Sequence, residues 1–286
     1  MILIAIVYLA YWYTTVTRQR AEQRDNSPLA PQPVTLGISF IANFFDTLGI
    51  GSYATTTSMF RAWKVVRDEK IPGTLNVGYV VPTTVQAAIY ITIVEVEFVT
   101  LVAIIAAAAA GAWLGAGVVA GLPRRQVQIG MGFALLGAAT LMLFSLTGIG
   151  PAPGVALGVA GAKLGVAIVI SAFLGALMML GIGYYAPCLI MISLLGMNPT
   201  AAFPIMMGAC AFLMPVGSMQ FIRKQSYDLR AAIGLMVGGP LAVLIAAFIV
   251  KSLPLTYVRW GVVVVVVYTA IGMLQTAAKE RATKNA

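Results

Sequence analysis

The sequence contains no histidine, only two cysteines, and few charged residues of either sign. Without histidine, Ser/His and Cys/His catalytic dyads and most transition-metal sites are excluded. Cys188 and Cys210 lie in apolar surroundings and form neither a disulfide framework nor a metal-binding spacing, so we expect two small buried residues. Charged residues make up 9% of the 286 positions. A typical soluble domain has about a quarter, so this chain cannot cover a soluble surface.

Hydrophobic residues dominate what is present. They make up 60% of the chain and form continuous runs, which excludes the alternating pattern of a membrane β-barrel. We therefore predict an all-α, polytopic membrane protein, with the lipid bilayer as its surroundings and with no cofactor, no metal and no nucleic acid. The net charge of +9 arises from basic residues at the ends of apolar segments, which is typical of cytoplasmic loops.

The chain divides into an N-terminal transmembrane helix, a polar linker and two large apolar units. The first 17 residues lack a basic start and a small-residue cleavage site, and arginines follow them, which favours a retained helix with its N-terminus outside. The predicted boundaries are 1–17 for this helix, 18–34 for the linker, 35–147 for the first unit, 148–162 for a connecting loop, 163–277 for the second unit and 278–286 for a cytoplasmic tail.

The two apolar units share a pattern that indicates an internal duplication. Residues 48–54 read LGIGSYA, residues 180–186 read LGIGYYA, and Pro72 keeps the same offset to Pro204. A Leu-Pro pair near the end of each unit also matches, at an offset one residue shorter. Apolar composition alone does not produce ordered matches of Gly, Pro and Tyr. Two-fold internal repeats recur in secondary transporters.

Each repeated motif lies between short apolar pieces, which predicts a re-entrant helical hairpin. A piece of about 12 residues covers about 18 Å as a helix, less than the bilayer core of about 30 Å. With both pairs as hairpins, 15 of the 18 Lys and Arg residues face the cytoplasm, as the positive-inside rule requires. Each unit then holds one hairpin and three transmembrane helices. The two repeats are therefore inverted, and their glycine turns meet near the bilayer centre.

The glycine turns and the polar residues near them form the predicted substrate site. The second piece of each hairpin begins after its turn, so the positive end of its helix dipole faces the site and suits an anion. Neutral hydroxyl and amide groups add hydrogen bonds without a charge. Tight helix packing and local backbone bonds are the alternative roles of these residues. The predicted substrate-binding residues are Gly49, Gly51, Ser52, Tyr53, Thr55, Thr56, Asn76, Gln86, Gly181, Gly183, Tyr184, Tyr185 and Gln220.

Asp46 is the one acid deep inside an apolar segment. An acid inside the membrane is a functional candidate because its burial is costly. Near a bound anion we expect Asp46 to be protonated or to act as the proton-coupling group. A carboxyl group that only cross-links the hairpin is the structural alternative.

With these motifs the sequence resembles the TauE/SafE family of sulfite exporters, also called TSUP permeases, over about residues 35–277. The resemblance rests on ANFFDTLGIG at 42–51 and GALMMLGIG at 175–183. The family has a glycine run and a proline after GIG, and this chain departs from that pattern in both motifs, which indicates a divergent branch. The resemblance implies a plasma-membrane transporter of small sulfur-containing anions: sulfite, thiosulfate or an organosulfonate such as sulfoacetate.

Other functions stay open at this point. A cation or carboxylate transporter could use Asp46, and an anion channel would conduct without coupling, although no ring of like charges marks a pore. We do not expect an enzyme, since an aspartyl protease needs two membrane acids and only Asp46 qualifies. The predicted topology places the C-terminus in the cytoplasm, and a homodimer is compatible with the sequence.

Overall fold

The structure is a computed structural model, and it describes residues 2–24, 29–48, 50–147, 154–181, 183–248 and 255–285. These residues form twelve α-helices and no strand, apart from one isolated bridge between Ala156 and Met197. The helical class predicted from the sequence is confirmed. The helices are α1 (Ile2–Gln23), α2 (Pro33–Thr47), α3 (Tyr53–Ala62), α4 (Ile71–Gly78), α5 (Val80–Ile93), α6 (Phe98–Val119), α7 (Arg124–Thr147), α8 (Gly161–Met178), α9 (Tyr185–Leu194), α10 (Ala202–Arg223), α11 (Leu229–Phe248) and α12 (Leu255–Asn285).

The described chain has the polarity of a membrane protein. Four of its helices, α6, α8, α10 and α11, are long and apolar enough to cross a bilayer. Large apolar side chains such as Leu114 and Val169 are exposed on the outer surface, whereas polar side chains such as Ser39, Asn43 and Gln86 are fully buried. A soluble domain keeps most such polar residues at its surface, so the outer face of this bundle suits lipid.

Helix α10 is at the centre of the bundle and packs against α4, α5 and α6, while α1 lies against its outer side. The other extensive contacts join α2 to α11, α6 to α8 and α7 to α12. Small residues allow the close approach: a Cβ added at Gly111 of α6 would lie 1.8 Å from the Ala172 carbonyl oxygen of α8. Likewise, a Cβ at Gly238 of α11 would lie 2.5 Å from the Leu36 oxygen of α2. Such small-residue interfaces are typical of helices in membranes.

Several loops with basic residues meet at one end of the helices. The Gln23 side-chain amide of α1 donates to Gln225 Oε1 at 2.9 Å, in the loop between α10 and α11. In the same loop, the Asp228 amide donates to Thr74 Oγ1 of α4, also at 2.9 Å. The end of α1, the loop before α4 and the loop before α11 therefore share one end. This arrangement agrees with the predicted grouping of their Lys and Arg residues on one side.

The continuous apolar run over 72–94, one of the three spans expected in the first unit, is broken in the structure. Its two parts are α4 and α5, and Tyr79 lies between them with φ −93° and ψ 1°. Pro82 has no N–H to donate to the Gly78 carbonyl, and its ring crowds that carbonyl, so the helix is interrupted there.

Three helices are longer than predicted. Helix α1 continues to Gln23, into the predicted linker, where Arg18 and Glu22 form a 2.9 Å ion pair one turn apart. Helix α12 runs to Asn285, through the predicted tail. Helix α8 has 18 residues, so the first arm of the second hairpin exceeds the dozen residues expected for a short hairpin arm.

Candidate functional site

A small cavity lies between the two glycine motifs. Its volume is about 20 Å³, enough for one water molecule. Two helix turns, the end of α8 and the neighbouring faces of α5 and α10 enclose it. The residues that line this central cavity are Asp46, Gly51, Ser52, Tyr53, Thr83, Met178, Gly183, Tyr184, Tyr185, Cys210 and Met214.

The first turn joins α2 to α3. Helix α2 ends at Thr47, and Gly51 adopts φ 92°, a left-handed conformation that glycine reaches without strain. Helix α3 begins directly afterwards at Tyr53, and no side chain caps its first turn. The residues at the start of α3, Gly51, Ser52 and Tyr53, line the cavity.

The second turn joins α8 to α9 in a related way. Helix α8 ends at Met178, Gly181 adopts φ 99°, and α9 begins at Tyr185 without a side-chain cap. Gly183, which corresponds to Gly51 in the repeat, does not adopt a left-handed conformation, so the two turns differ locally. A Cβ at Gly181 would lie 3.0 Å from Met131 Cε, which makes the turn closely packed as well.

Asp46 is 3% exposed and connects the two hairpins. The Gln86 side-chain amide of α5 donates to Asp46 Oδ2 at 2.9 Å and to Thr47 Oγ1 at 3.0 Å. The Tyr185 hydroxyl of α9 donates to Gln86 Oε1 at 3.0 Å. Ser52, from the first turn, lies beside the same carboxyl group. Among the described residues, Asp46 is the one acid of the lining, and Gln86 links it to Tyr185 of α9.

Tyrosine hydroxyls form a second set of buried contacts around the cavity. The Tyr53 hydroxyl donates to Asn76 Oδ1 at 3.1 Å, and the Asn76 amide in turn donates to the Pro72 carbonyl at 2.9 Å. The Tyr184 hydroxyl makes a hydrogen bond with Ser171 of α8. Both aromatic rings are therefore fixed at the cavity wall by the elements around them.

Part of the lining follows the repeat of the sequence. Four residues of the first hairpin have a partner 132 positions later that lines the same cavity: 46 with 178, 51 with 183, 52 with 184 and 53 with 185. The chemistry differs between partners, because the carboxylic acid Asp46 corresponds to the thioether Met178. The cavity is therefore paired in position but acidic on one side alone.

Seven of the predicted site residues line the cavity: Asp46, Gly51, Ser52, Tyr53, Gly183, Tyr184 and Tyr185. Asn76 and Gln86 support it from behind, through Tyr53 and Asp46. Thr55 and Thr56 lie in the first turns of α3 and bond elsewhere, Thr55 to the Ser52 carbonyl and Thr56 to Tyr79.

Of the three remaining predicted residues, two do not line the cavity and one is outside the described residues. Gly181 shapes the second turn without lining the cavity. Gln220 is half-buried on α10, six residues beyond Met214, which is about 9 Å along a helix. Gly49 lies outside the described residues.

Sequence reasoning did not select four lining residues for the site: Thr83, Met178, Cys210 and Met214. The prediction that both cysteines are buried is confirmed, but Cys210 also faces the cavity. The position of Met178 opposite Asp46 in the repeat was the available signal. An apolar residue in an apolar helix gives no other sign of lining a site.

The lining can form hydrogen bonds and present helix N-termini, but it contains no basic side chain. Among the described residues, no group of three His, Cys, Asp or Glu side chains could hold a metal ion. Comparison with protein families, with curated proteins and with solved structures finds no match to this chain. The resemblance to the TauE/SafE family therefore stays a prediction from the hairpin motifs.

Proposed function

We propose that the protein is a secondary transporter that binds a small sulfur-containing anion in the central cavity. The observation that carries this proposal is the meeting of two helix starts without side-chain caps, Tyr53 of α3 and Tyr185 of α9, at one cavity. Backbone amides and the positive dipole ends of two helices favour an anion. Interrupted helices that meet inside a membrane bundle are typical of transporter binding sites.

The proposal includes an inverted repeat, and the packing supports a two-fold relation. Exchanging the two units turns the α2–α11 contact into the α8–α6 contact, and the α3–α12 contact into the α9–α7 contact. The α7–α12 and α5–α10 contacts correspond to themselves. Together with the four paired lining positions, this supports a cavity on a pseudo-two-fold axis, where transporters with such repeats bind substrate.

In the proposed transport cycle, Asp46 is the residue that couples the movement of the anion to a proton. An ionised carboxylate next to a bound anion would repel it, so the anion and a proton on Asp46 favour each other. A protonated Asp46 can also donate a hydrogen bond to the substrate. Transport of the anion together with a proton follows from this mutual dependence.

In this structure the central cavity is too small for the proposed cargo. A cavity of about 20 Å³ has room for one water, so a four-atom oxyanion such as sulfite does not fit. Alternating access therefore requires the two hairpins to separate, and the glycine turns are the positions where the backbone can change most easily. The resemblance to the TauE/SafE family supports sulfite, thiosulfate or an organosulfonate as the cargo, and the plasma membrane as the location.

Transport by purified protein in proteoliposomes tests the proposal. Sulfite, thiosulfate, sulfate, sulfoacetate and taurine are offered with and without a proton gradient. We expect saturable uptake of a sulfur anion that the gradient stimulates. Uptake of none of these by folded protein would overturn the assignment of the cargo. A current without saturation or coupling would indicate an anion channel instead.

A cation or carboxylate transporter is the second candidate, because Asp46 is the one charged residue of the described lining. The Asp46→Asn variant separates the two readings. For a proton-coupled anion transporter, substrate binding survives and proton-driven uptake is lost. For a cation transporter, binding itself is lost. Glu95→Gln, which neutralises an exposed acid, is the matched control and should leave both readings unchanged.

A further inference from the structure

A second cavity, of about 540 Å³, lies at the end of the bundle where the basic loops meet. Five basic residues contribute to its lining: Arg61, Lys64, Arg67, Lys70 and Arg124. Two acids also line it, so the lining carries a formal charge of +3 (five minus two). We call it the basic cavity. Its volume is within the range of about 300–1,000 Å³ that is typical of small-molecule sites.

The two acids of the basic cavity already have partners. Asp68 pairs with Arg61 at 3.2 Å and accepts a hydrogen bond from the Gln128 amide at 2.9 Å. Asp228 accepts the backbone amide of Ala231 at 2.9 Å, in the first turn of α11. These contacts hold the acids in the cavity wall. Glu69, beside the lining, also pairs with Arg67 at 3.2 Å and with Arg124 at 3.9 Å, so the positive charge that remains is on the two lysines.

The two lysines of the basic cavity have ammonium groups that can donate hydrogen bonds to a ligand. Among the described residues, neither the Lys64 nor the Lys70 ammonium has a hydrogen-bond or ion-pair partner. Lys64 is exposed at the end of α3, and Lys70 is half-buried just before α4. An excess of basic residues in cytoplasmic loops accounts for the side of the membrane on which these residues lie, but not for their grouping around a cavity. Here they converge on one concave surface from three different elements.

We propose that the basic cavity is a binding site for an oxyanion of the phosphate type, carried by a free solute or by a lipid head group. Lysine ammonium groups and arginine forks are the side chains that recognise such groups. Helix α3 separates this site from the central cavity: it runs from Tyr53 to Arg61, about 12 Å at 1.5 Å per residue. The proposal goes beyond the transport function and does not depend on what the central cavity carries.

Titration calorimetry on the full-length protein in detergent, with inorganic phosphate as the probe, tests the site directly. The Lys64→Gln/Lys70→Gln variant removes the two unpartnered charges, and we expect its affinity for phosphate to fall by about tenfold or more. The Lys163→Gln/Lys224→Gln variant removes two exposed charges elsewhere and should bind as wild type does. Lys64→Arg/Lys70→Arg keeps the charge and should bind phosphate, which separates loss of the site from loss of folding.

Native mass spectrometry with phosphatidylglycerol tests the lipid source in parallel. Phosphate binding that the Gln variant loses identifies a free anion. Phosphatidylglycerol retained by wild type and by the control, but not by the Gln variant, identifies a lipid head group. Both results support the site. If the Gln variant binds each probe as wild type does, or if wild type binds neither, the proposal is overturned. No step uses transport, so a failure here is distinct from a failure of the transport function.

Discussion

Asp46 of α2 is connected through Gln86 of α5 to Tyr185 of α9, and Ser52 of the first turn lies beside it. These elements belong to different parts of the bundle, so any movement of one hairpin against the other changes the surroundings of the carboxyl group. A single buried acid in such a position can couple its protonation to the arrangement of the hairpins. Gln86 is the central member, since it contacts both Asp46 and Tyr185.

Replacing Gln86 by alanine tests this positioning role. We expect proton-driven uptake to fall by about tenfold or more, because a hydrogen bond to a buried charged or polar group contributes roughly 1–3 kcal/mol. The pH profile of uptake should shift as well, since the Asp46 carboxyl loses its donor. Gln126→Ala, at an exposed position on α7, is the control. An unchanged pH profile with uptake equal to that of wild type would mean that Gln86 is structural only.

The residues of the site were predictable where their chemistry differed from their surroundings. Asp46 and Gln86 are polar groups in apolar segments, and both belong to the site. Met178 and Cys210 were not selected, because their side chains resemble the rest of an apolar helix and face the cavity only through the fold. The opposite error explains Gln220, a polar residue whose helix carries it past the cavity.

At the scale of the elements, the first glycine turn allows a clean test of backbone strain. Gly51 has φ 92° and open space around a would-be Cβ, so a Gly51→Ala change meets conformational strain without a clash. We expect a loss of about 1–2 kcal/mol in the free energy of unfolding. Gly37→Ala, in helix α2 of the same hairpin and also in open space, should be neutral or stabilising by up to about 1 kcal/mol. Thermal unfolding in detergent measures the stability of both variants. Equal changes in stability would contradict backbone strain at Gly51.

Glu97 gives helix α6 a charge-dependent cap. Its carboxylate accepts the backbone amides of Val99 at 2.9 Å and Thr100 at 2.6 Å. Hydrogen bonds from the Thr100 side chain, and then from these two amides, lower the pKa of Glu97 below its ordinary value of 4.5. Because the folded pKa is lower than the unfolded one, the cap stabilises the protein above about pH 4.5. The contribution is lost as the pH falls through the folded pKa.

The Glu97→Gln variant should therefore lack this part of the acid sensitivity. Thermal unfolding measured from pH 6 down to about pH 3 should show a smaller decline for the variant than for wild type. Glu95→Gln removes an exposed carboxylate two residues away and should follow the wild-type curve. Superimposable curves for wild type and Glu97→Gln would show that the cap does not titrate in this range.

The positions of the helices were predictable from continuous apolar runs, but the interruption between α4 and α5 was not. The run over 72–94 is apolar on both sides of Tyr79, so hydropathy alone joins the two helices. Pro82 was the local signal for a break, yet many transmembrane helices contain a proline because neighbouring groups satisfy the freed carbonyl. Which outcome occurs depends on the packing against α10, which the sequence does not reveal.

At the scale of the whole molecule, the all-helical class and the order of the helices followed from the sequence, whereas the packing partners did not. Nothing in the apolar runs of α2 and α11 indicates that these distant helices lie together. Their close contact depends on small residues such as Gly238, whose partner becomes evident only in three dimensions. The duplicated motif was the one long-range signal, and Gly51 and Gly183 from its two copies line the same cavity.

The arrangement of the helices predicts which loops lie on the same side of the membrane. The contacts of Gln23 with Gln225 and of Thr74 with Asp228 place the end of α1 and the loop before α4 at the same end of the bundle. Single cysteines at Arg18 and Arg67, both exposed, should therefore react with a membrane-impermeant thiol reagent from the same side. A cysteine at Glu95, in the loop between α5 and α6, should react from the opposite side, because α4 and α5 together run away from that end.

Labelling of intact cells and of inverted vesicles shows from which side of the membrane each cysteine reacts. Cys188 and Cys210 are buried in the described structure, and labelling of the unmodified chain measures the background that they contribute. The positive-inside rule predicts that Arg18→Cys and Arg67→Cys react in inverted vesicles and Glu95→Cys in intact cells. Reaction of all three in intact cells would reject a membrane between these loops. Reaction of Arg18→Cys and Arg67→Cys from opposite sides would mean that α2 and α3 together cross the membrane, and the re-entrant hairpin would then be wrong.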